Sequence, residues 1–201
     1  MQAPTELTVP VLLIASVVVV SVLGWIIKPL KTALILIPVY VRERYHFHRL
    51  LTAGWVHADT THLLFNMFTL YFFAHQVERA LGDVRFLVLY VSAVVVAFIP
   101  TTLRQMKNAR YGSLGASGAV AAVTFSAILL HPGLKLSLLF LPIPIPGYVY
   151  ALGYVAYSAY HSWRSRDGIN HDAHFSGAIY GSILTYAFEP DRVVYTLQHF
   201  F

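Results

Sequence analysis

Long apolar runs separated by short polar pieces constrain this chain more than any other feature. A helix needs about 20 mostly apolar residues to cross the roughly 30 Å of hydrocarbon in a bilayer. Six runs approach or reach that length, at roughly residues 10–27, 61–81, 84–104, 115–131, 145–163 and 172–188. Hydrophobic residues make up 57% of the chain and charged residues only 11%, which is unlike a soluble domain. We therefore predict an all-α membrane protein, a six-transmembrane-helix bundle.

The connections between the runs predict one domain with an unusual first loop. No repeat or change of composition divides residues 1–201, so we expect a single transmembrane domain. The long loop at 28–60 is too polar to span and too aromatic for a solvated linker, so we expect it to lie in the membrane interface. Three prolines in LPIPIPG, at 141–147, predict a loop before the fifth helix. Glu189-Pro190-Asp191 is expected to end the sixth helix and leave a short tail.

The charges and the N-terminus narrow the class of protein further. The net charge is +5, but the basic residues form no polybasic block, so we expect them to anchor helix ends at lipid headgroups rather than to bind nucleic acid. The absence of cysteine excludes disulfides and thiol chemistry. The N-terminal stretch MQAPTELTVP has no positively charged region, so we expect the first apolar run to be retained as a helix.

Polar residues of types that act in catalysis or binding occur at one predicted depth in the membrane. In a six-helix bundle, the second, fourth and sixth helices all begin on the same side of the membrane. Their first turns carry His62 and Asn66, Ser117, and His174, respectively. Ionisable groups within a bilayer are costly and mark functional sites. The pattern therefore predicts one polar site shared by three helices.

Ser117 and His174 are the candidate nucleophile and base of this site. A glycine-flanked serine in a membrane helix is by itself typical of close helix packing. His174, however, lies three and seven residues before Gly177 and Gly181, and so shares a helix face with both glycines. The fourth helix offers a matching surface of small residues at Gly115, Gly118, Ala121 and Ala122. Packing of the two faces would bring the imidazole to the hydroxyl, which needs a base to become nucleophilic.

His62 and Asn66 are the candidate donors to an oxyanion. They are four residues apart, so both side chains project from one helix face at the level of Ser117. Backbone N–H groups at the start of the fourth helix can add to them. Asn66 alone would be interpreted as an interhelical hydrogen-bonding residue. Asp172 points away from His174 on a helix and cannot complete a triad, and His171 is expected to have an interfacial role only.

Together these residues resemble the rhomboid family of intramembrane serine proteases. The resemblance runs from about Arg49 to Gly181 and has four parts, in the order and on the helices that the family uses. They are the array of His57, His62 and Asn66, the Glu78-x-x-x-Gly82 ending of the second helix, the G-x-S-G of Gly115 to Gly118, and the A-H-x-x-G-x-x-x-G of Ala173 to Gly181.

The resemblance implies a role for each of these residues. Ser117 would be the nucleophile, His174 the general base, and His62 and Asn66 the oxyanion donors, assisted by the backbone of Ser117. Glu78 would hold the far ends of helices together. The substrate would be a transmembrane segment of another protein, entering sideways near the second and fifth helices. No cofactor or metal is implied.

Two positions depart from the family pattern. The Trp-Arg pair frequent in the first loop is replaced by His48-Arg49, so insertion of that loop into the membrane is expected to differ. Many members carry an aromatic residue four positions after the serine, where it stacks on the catalytic histidine. This chain has Ala121 there. We expect either lower activity or another residue that holds the His174 ring.

Two other functions compete with proteolysis. A catalytically weak or inactive relative that binds and escorts membrane proteins would explain Ala121, but it would not need Ser117 and His174 together. A metal transporter would use histidine ligands, for which the candidates are His57, His62, His171 and His174. No carboxylate or thiol accompanies those histidines, and they lack a recognisable set of supporting residues.

Localisation and orientation follow from different signals. The apolar runs predict a multi-pass integral membrane protein, and we assign it to a bacterial plasma membrane. Basic residues concentrate in the first, third and fifth loops, which would turn the mouth of the site toward the cytoplasm. Bacterial rhomboids generally open outward. The sequence does not define the oligomeric state.

Overall fold

The structure is a computed structural model that describes residues 8–138, 141–164 and 168–200. Its elements are α1 (Val9–Ile26), α2 (Lys28–Leu34), α3 (Pro38–Arg44), α4 (Arg49–Thr52), a 3₁₀ turn (Ala53–Trp55), α5 (Thr60–Leu81), α6 (Asp83–Gln105), α7 (Ser117–Leu130), β1 (Lys135–Leu138), β2 (Leu141–Pro146), α8 (Gly147–Arg164), α9 (His171–Phe188) and α10 (Pro190–Phe200). The chain is thus mostly helical. Residues 1–7, most of the N-terminal stretch without positive charge, lie outside the described residues.

Six helices occupy the six predicted apolar runs, and each begins and ends within two residues of its predicted bounds. They are α1, α5, α6, α7, α8 and α9. Among the described residues, α1 and α6 are each long and apolar enough to cross a membrane, and α7 is a shorter apolar helix. Polar side chains lower the hydropathy of the others. Length and composition alone therefore support membrane crossing for two helices.

The core of the bundle is built around α7. Every residue of α7 from Gly118 to Leu130 is buried except Leu129, and α5, α6 and α9 pack around it. A helix that is apolar on all sides is stable only when it is enclosed in this way. At the other end of α5, the backbone N–H of Val9 donates to Oε1 of Glu78 (3.1 Å), which joins α1 to α5. Ser117 therefore begins the most enclosed helix of the molecule.

The segment at 28–60 folds into α2, α3, α4 and the 3₁₀ turn rather than an irregular loop. Arg49 organises it: this buried guanidinium donates from one nitrogen to the carbonyl oxygens of Thr32 (2.8 Å) and Ile35 (2.6 Å). His48 beside it is exposed. The interfacial position of this segment stays a prediction.

One segment differs from the sequence prediction, and the C-terminal tail has helical structure that the sequence did not predict. The residues at 141–147 do not form the predicted loop, because Leu141–Pro146 pairs as β2 with β1 in an antiparallel hairpin. Prolines lack an N–H donor, but an edge strand needs donors only on the side of its single partner, so it tolerates them. The predicted end of the sixth helix at 189–191 is confirmed, since α9 ends at Phe188, and the short tail after it forms α10 from Pro190. Proline is favoured in the first helical turn, where its missing donor has no intrahelical partner.

Candidate active site

Ser117 and His174 meet between α7 and α9. Ser117 is the first residue of α7, and His174 lies in the first turn of α9. The Nε2 atom of His174 is 2.8 Å from the Oγ atom of Ser117, a hydrogen-bonding distance. The two groups that the sequence placed at one depth are thus in direct contact.

Glycines set the short distance between α7 and α9. A Cβ atom added to Gly177 would lie 2.0 Å from the carbonyl oxygen of Gly118, and one added to Gly181 would lie 2.5 Å from the Cα atom of Ala122. The helices are therefore in backbone contact, and no larger residue fits at either glycine. The predicted packing of the two small-residue faces is confirmed.

His62 lies against the backbone just before Ser117. A Cβ atom on Gly115 would come within 2.6 Å of the Cε1 atom of His62, and Gly115 has a φ of +112°, a conformation that favours glycine. Gly115 thus lets the imidazole approach the chain that leads into α7. This places the His62 ring beside the backbone that carries the proposed nucleophile.

Asn66 shares a cavity with Ser117. The cavity has a volume of about 170 Å³ and lies between α5, α7 and α8. Asn66, Ser117, Phe65, Tyr150 and Tyr154 are among the residues that line it. The Nδ2 atom of Asn66 donates to the carbonyl oxygen of His62 (2.8 Å). Both residues belong to α5, so a bond within one helix orients the amide.

His57 fixes the backbone that precedes Ser117. Its Nε2 atom accepts from the backbone N–H of Ala116 (3.2 Å), and its Nδ1 atom is 3.0 Å from Oγ of Ser21. Ser21 donates to the carbonyl oxygen of Trp55, so its oxygen is available to accept from the Nδ1–H. Burial lowers the pKa of His57 to about 3, which keeps the ring neutral and Nε2 an acceptor. Sequence analysis placed His57 in the array but did not find this role.

The same bonds bear on the metal-transporter alternative. A histidine ligand needs one free ring nitrogen, and both nitrogens of His57 have partners. The rings of His171 and His174 are 5.9 Å apart between centroids. His171 is buried within the bundle, and its interfacial role stays a prediction. The ring of His171 lies against that of His161 in α8, with the ring centroids 5.1 Å apart.

Tyr154 supplies an aromatic surface for His174. The two rings are stacked, with centroids 6.3 Å apart and planes inclined by 23°. Ala121, the small residue at the position where many rhomboids are aromatic, is buried in the cluster against which Tyr154 packs. An alanine there leaves room for a ring from α8. No sequence pattern predicts this stacking, because α8 carries five tyrosines without a distinguishing spacing.

Polar contacts hold the first turn of α9 in place. Asn170 accepts from the N–H of Ala173 (3.1 Å) and donates to Oγ of Ser113 (2.9 Å), which links α9 to the chain before α7. Asp172 forms an ion pair with Arg104 (2.9 Å) and accepts a hydrogen bond from Ser162. Asp172 therefore joins α6, α8 and α9. Asn170 was missed, although an asparagine before a helix is a typical N-cap.

Comparison with known proteins identifies the family. The model of the Rhomboid domain matches residues 44–190, which include all four candidate site residues. RHOMBOID-like protein 12, mitochondrial, from Arabidopsis thaliana is 30% identical over 151 residues, which are 68% of this chain and 45% of that protein. The chain belongs to the rhomboid family, whose members are integral membrane proteins.

Two further relatives come from other sources. Human presenilin-associated rhomboid-like protein, mitochondrial, is 28% identical over 141 residues, covering 66% of this chain and 35% of that protein. "Putative rhomboid protease YdcA" of Bacillus subtilis (strain 168) is 40% identical over 72 residues, covering 36% of this chain and 35% of that protein. The aligned region thus spans less than half the length of each of these three relatives.

Proposed function

We propose that this protein is an intramembrane serine endopeptidase that cuts peptide bonds in or near transmembrane segments of other membrane proteins. The observation that carries this proposal is the 2.8 Å distance between Nε2 of His174 and Oγ of Ser117. A serine hydroxyl is a weak nucleophile until a base takes its proton. A neutral imidazole at hydrogen-bonding distance is such a base.

The reaction follows the two steps of a serine hydrolase. Oγ of Ser117 attacks the substrate carbonyl while Nε2 of His174 takes its proton, and the proton then passes to the leaving amine as the C–N bond breaks. Water, deprotonated by the same nitrogen, hydrolyses the acyl-enzyme and regenerates the hydroxyl. We assign the oxyanion to Nδ2 of Asn66, the ring of His62 and the N–H of Ser117, since donors are most effective where negative charge develops.

The proposed topology has all six long helices crossing the bilayer as one domain over residues 1–201. Large apolar side chains exposed around the bundle support this topology, since an apolar surface of this extent is unfavourable in water. Examples are Leu64, Phe68, Leu152, Trp163 and Ile183, each at least half exposed. The exposed rings of Tyr45 and Phe47 support an interfacial position for the 28–60 segment.

The proposed route of the substrate is the space between α5 and α8. The cavity beside Ser117 lies there, and its aromatic lining suits an apolar side chain of the substrate. The relatives are mitochondrial in two cases and bacterial in one. They favour no single membrane, and the bacterial plasma membrane stays our prediction.

The experiment compares the reconstituted protein with its Ser117→Ala and His174→Ala variants on a transmembrane substrate. We expect cleavage by the unchanged protein, none by either variant, and no effect of a metal chelator. Cleavage that survives either substitution would refute the Ser–His assignment. If well-folded unchanged protein binds substrates without cutting any, the escort function is favoured, and loss of activity with the chelator would favour a metal mechanism.

A further inference from the structure

A second cavity lies at the end of the bundle away from Ser117. It has a volume of about 310 Å³ and is bordered by the end of α5, the residue after α7 and the first turn of α10. Its lining residues are Gln76, Arg79, Ala80, His131 and Arg192. His131 lies fourteen positions after Ser117, a distance of about 20 Å along α7. The two cavities are therefore distinct.

The cavity carries positive charge, because two of its lining residues are arginines. Within the described parts of the chain, neither Arg79 nor Arg192 forms an ion pair, and the pair at this end joins Arg85 to Glu189 (2.8 Å). Glu78, next to Arg79 in the chain, accepts from the backbone N–H of Val9 and forms no ion pair with Arg79. Two guanidinium groups that share a cavity without a counter-ion repel each other, and an anion between them would relieve that repulsion.

Polar atoms around the cavity also lack hydrogen-bond partners among the described residues. Arg192 donates from Nε to the carbonyl oxygen of Leu130 (2.9 Å), and its terminal nitrogens have no partner within the described ranges. The Nε2 atom of His131 is buried and has no hydrogen-bond partner among the described residues. A buried polar atom without a partner costs free energy unless something binds to it. The cavity therefore combines uncompensated charge with unsatisfied polar atoms.

We propose that this cavity binds a phosphate group, held by the guanidinium groups of Arg79 and Arg192 with His131 beside them. Guanidinium forks match the oxygens of a phosphate in geometry and charge. The inference rests on the proposed transmembrane topology, which puts the cavity at the membrane interface opposite to Ser117, where lipid phosphates lie. The phosphate can belong to an anionic phospholipid or be dissolved inorganic phosphate.

Thermal unfolding of the full chain in a neutral detergent tests the site. Phosphatidylglycerol, phosphatidylcholine and inorganic phosphate are titrated separately, and a ligand that binds the folded state raises the unfolding temperature. We expect a saturable rise with phosphatidylglycerol or with inorganic phosphate, and whichever acts at the lower concentration identifies the source. Arg79→Gln should raise the half-saturating concentration about tenfold or more, because a charge-assisted contact is lost.

Lys135→Gln is the matched control. It removes the same charge from an exposed residue of β1 that does not line the cavity, and it should leave the titration unchanged. Arg192→Lys adds a second variant that keeps the charge and loses the fork. A titration equal in the unchanged protein and Arg79→Gln, or no rise with any of the three ligands, would overturn the site. Because unfolding does not depend on cleavage, an inactive protein would still give a result here.

Discussion

The two sides of the α7 helix differ in how closely they are packed. Toward α9, backbone meets backbone, and a methyl group on Gly177 would lie 2.0 Å from the Gly118 carbonyl oxygen. Toward α5 and α8, a cavity of about 170 Å³ opens beside Ser117. The close side holds the imidazole at the hydroxyl, and the open side leaves room for a peptide. One short helix thus combines a closely packed Ser117–His174 pair on one side with an accessible cavity on the other.

The largest effect is expected from a substitution that separates α9 from α7. Gly177→Ala forces α9 away from α7, and overpacking of this kind costs about 3 kcal/mol of folding free energy. Cleavage should be lost with it, because the 2.8 Å contact between Ser117 and His174 cannot be kept. Thermal unfolding and substrate cleavage measure the two effects.

Gly153→Ala is the matched control for that change. Gly153 lies within α8, and a Cβ atom there meets nothing within 4 Å. Alanine is the better helix former by about 1 kcal/mol, so stability should be unchanged or slightly higher. Equal behaviour of the two variants would mean that the α7–α9 contact is looser than the structure has it.

The next effect concerns the open side. Asn66→Ala should lower kcat by about 10²-fold or more, because a donor to the oxyanion is removed. Its unfolding temperature should change little, since the Asn66 side chain bonds only within α5 in the described structure. Thr69→Ala, in the same cavity and one turn further along α5, should cost less than a few-fold. Equal losses for Asn66 and Thr69 would contradict an oxyanion role.

A smaller effect is expected on stability at acid pH, through His57, which bonds the backbone just before α7. Burial lowers the pKa of His57 to about 3, so the unfolded chain, with a histidine pKa near 6.5, binds a proton that the folded chain does not. The stability from neutral His57 is therefore complete above pH 6.5 and is lost as the pH falls, at up to about 1.4 kcal/mol per pH unit.

Unfolding in detergent at pH 7 and pH 5 checks this. The unchanged protein should lose more stability between these values than His57→Gln does, by about 2 kcal/mol. The control is His48→Gln, at an exposed histidine of the same segment. A His57→Gln variant with the same pH dependence as the unchanged protein would show that His57 does not contribute as described.

The smallest effect is expected where the two sides meet at the His174 ring. Tyr154→Leu removes the stacked ring and should lower kcat by about tenfold with little change in KM, because the imidazole is less well oriented. Tyr154→Phe keeps the ring and should retain activity. If leucine and phenylalanine behave alike, the stack does not position His174.

The sequence predicted the close side better than the open side, for a physical reason. Gly177 and Gly181 are spaced one helical turn apart, and backbone contact with α7 excludes any larger residue at either position. Six apolar runs likewise located six helices. Tyr154 could not be found this way, because stacking depends on where α8 docks and not on any period within it. The hairpin of β1 and β2 was missed because three prolines exclude a helix but do not distinguish a loop from an edge strand.

If close packing of α7 and α9 activates the hydroxyl of Ser117, a fluorophosphonate should label that serine. Such reagents modify serine hydroxyls that a base has activated. Peptide mass mapping should find the label on Ser117 in the unchanged protein and in Gly153→Ala, and no label in His174→Ala. A label that persists in the His174→Ala protein, or unchanged protein labelled at a serine other than Ser117, would contradict the account.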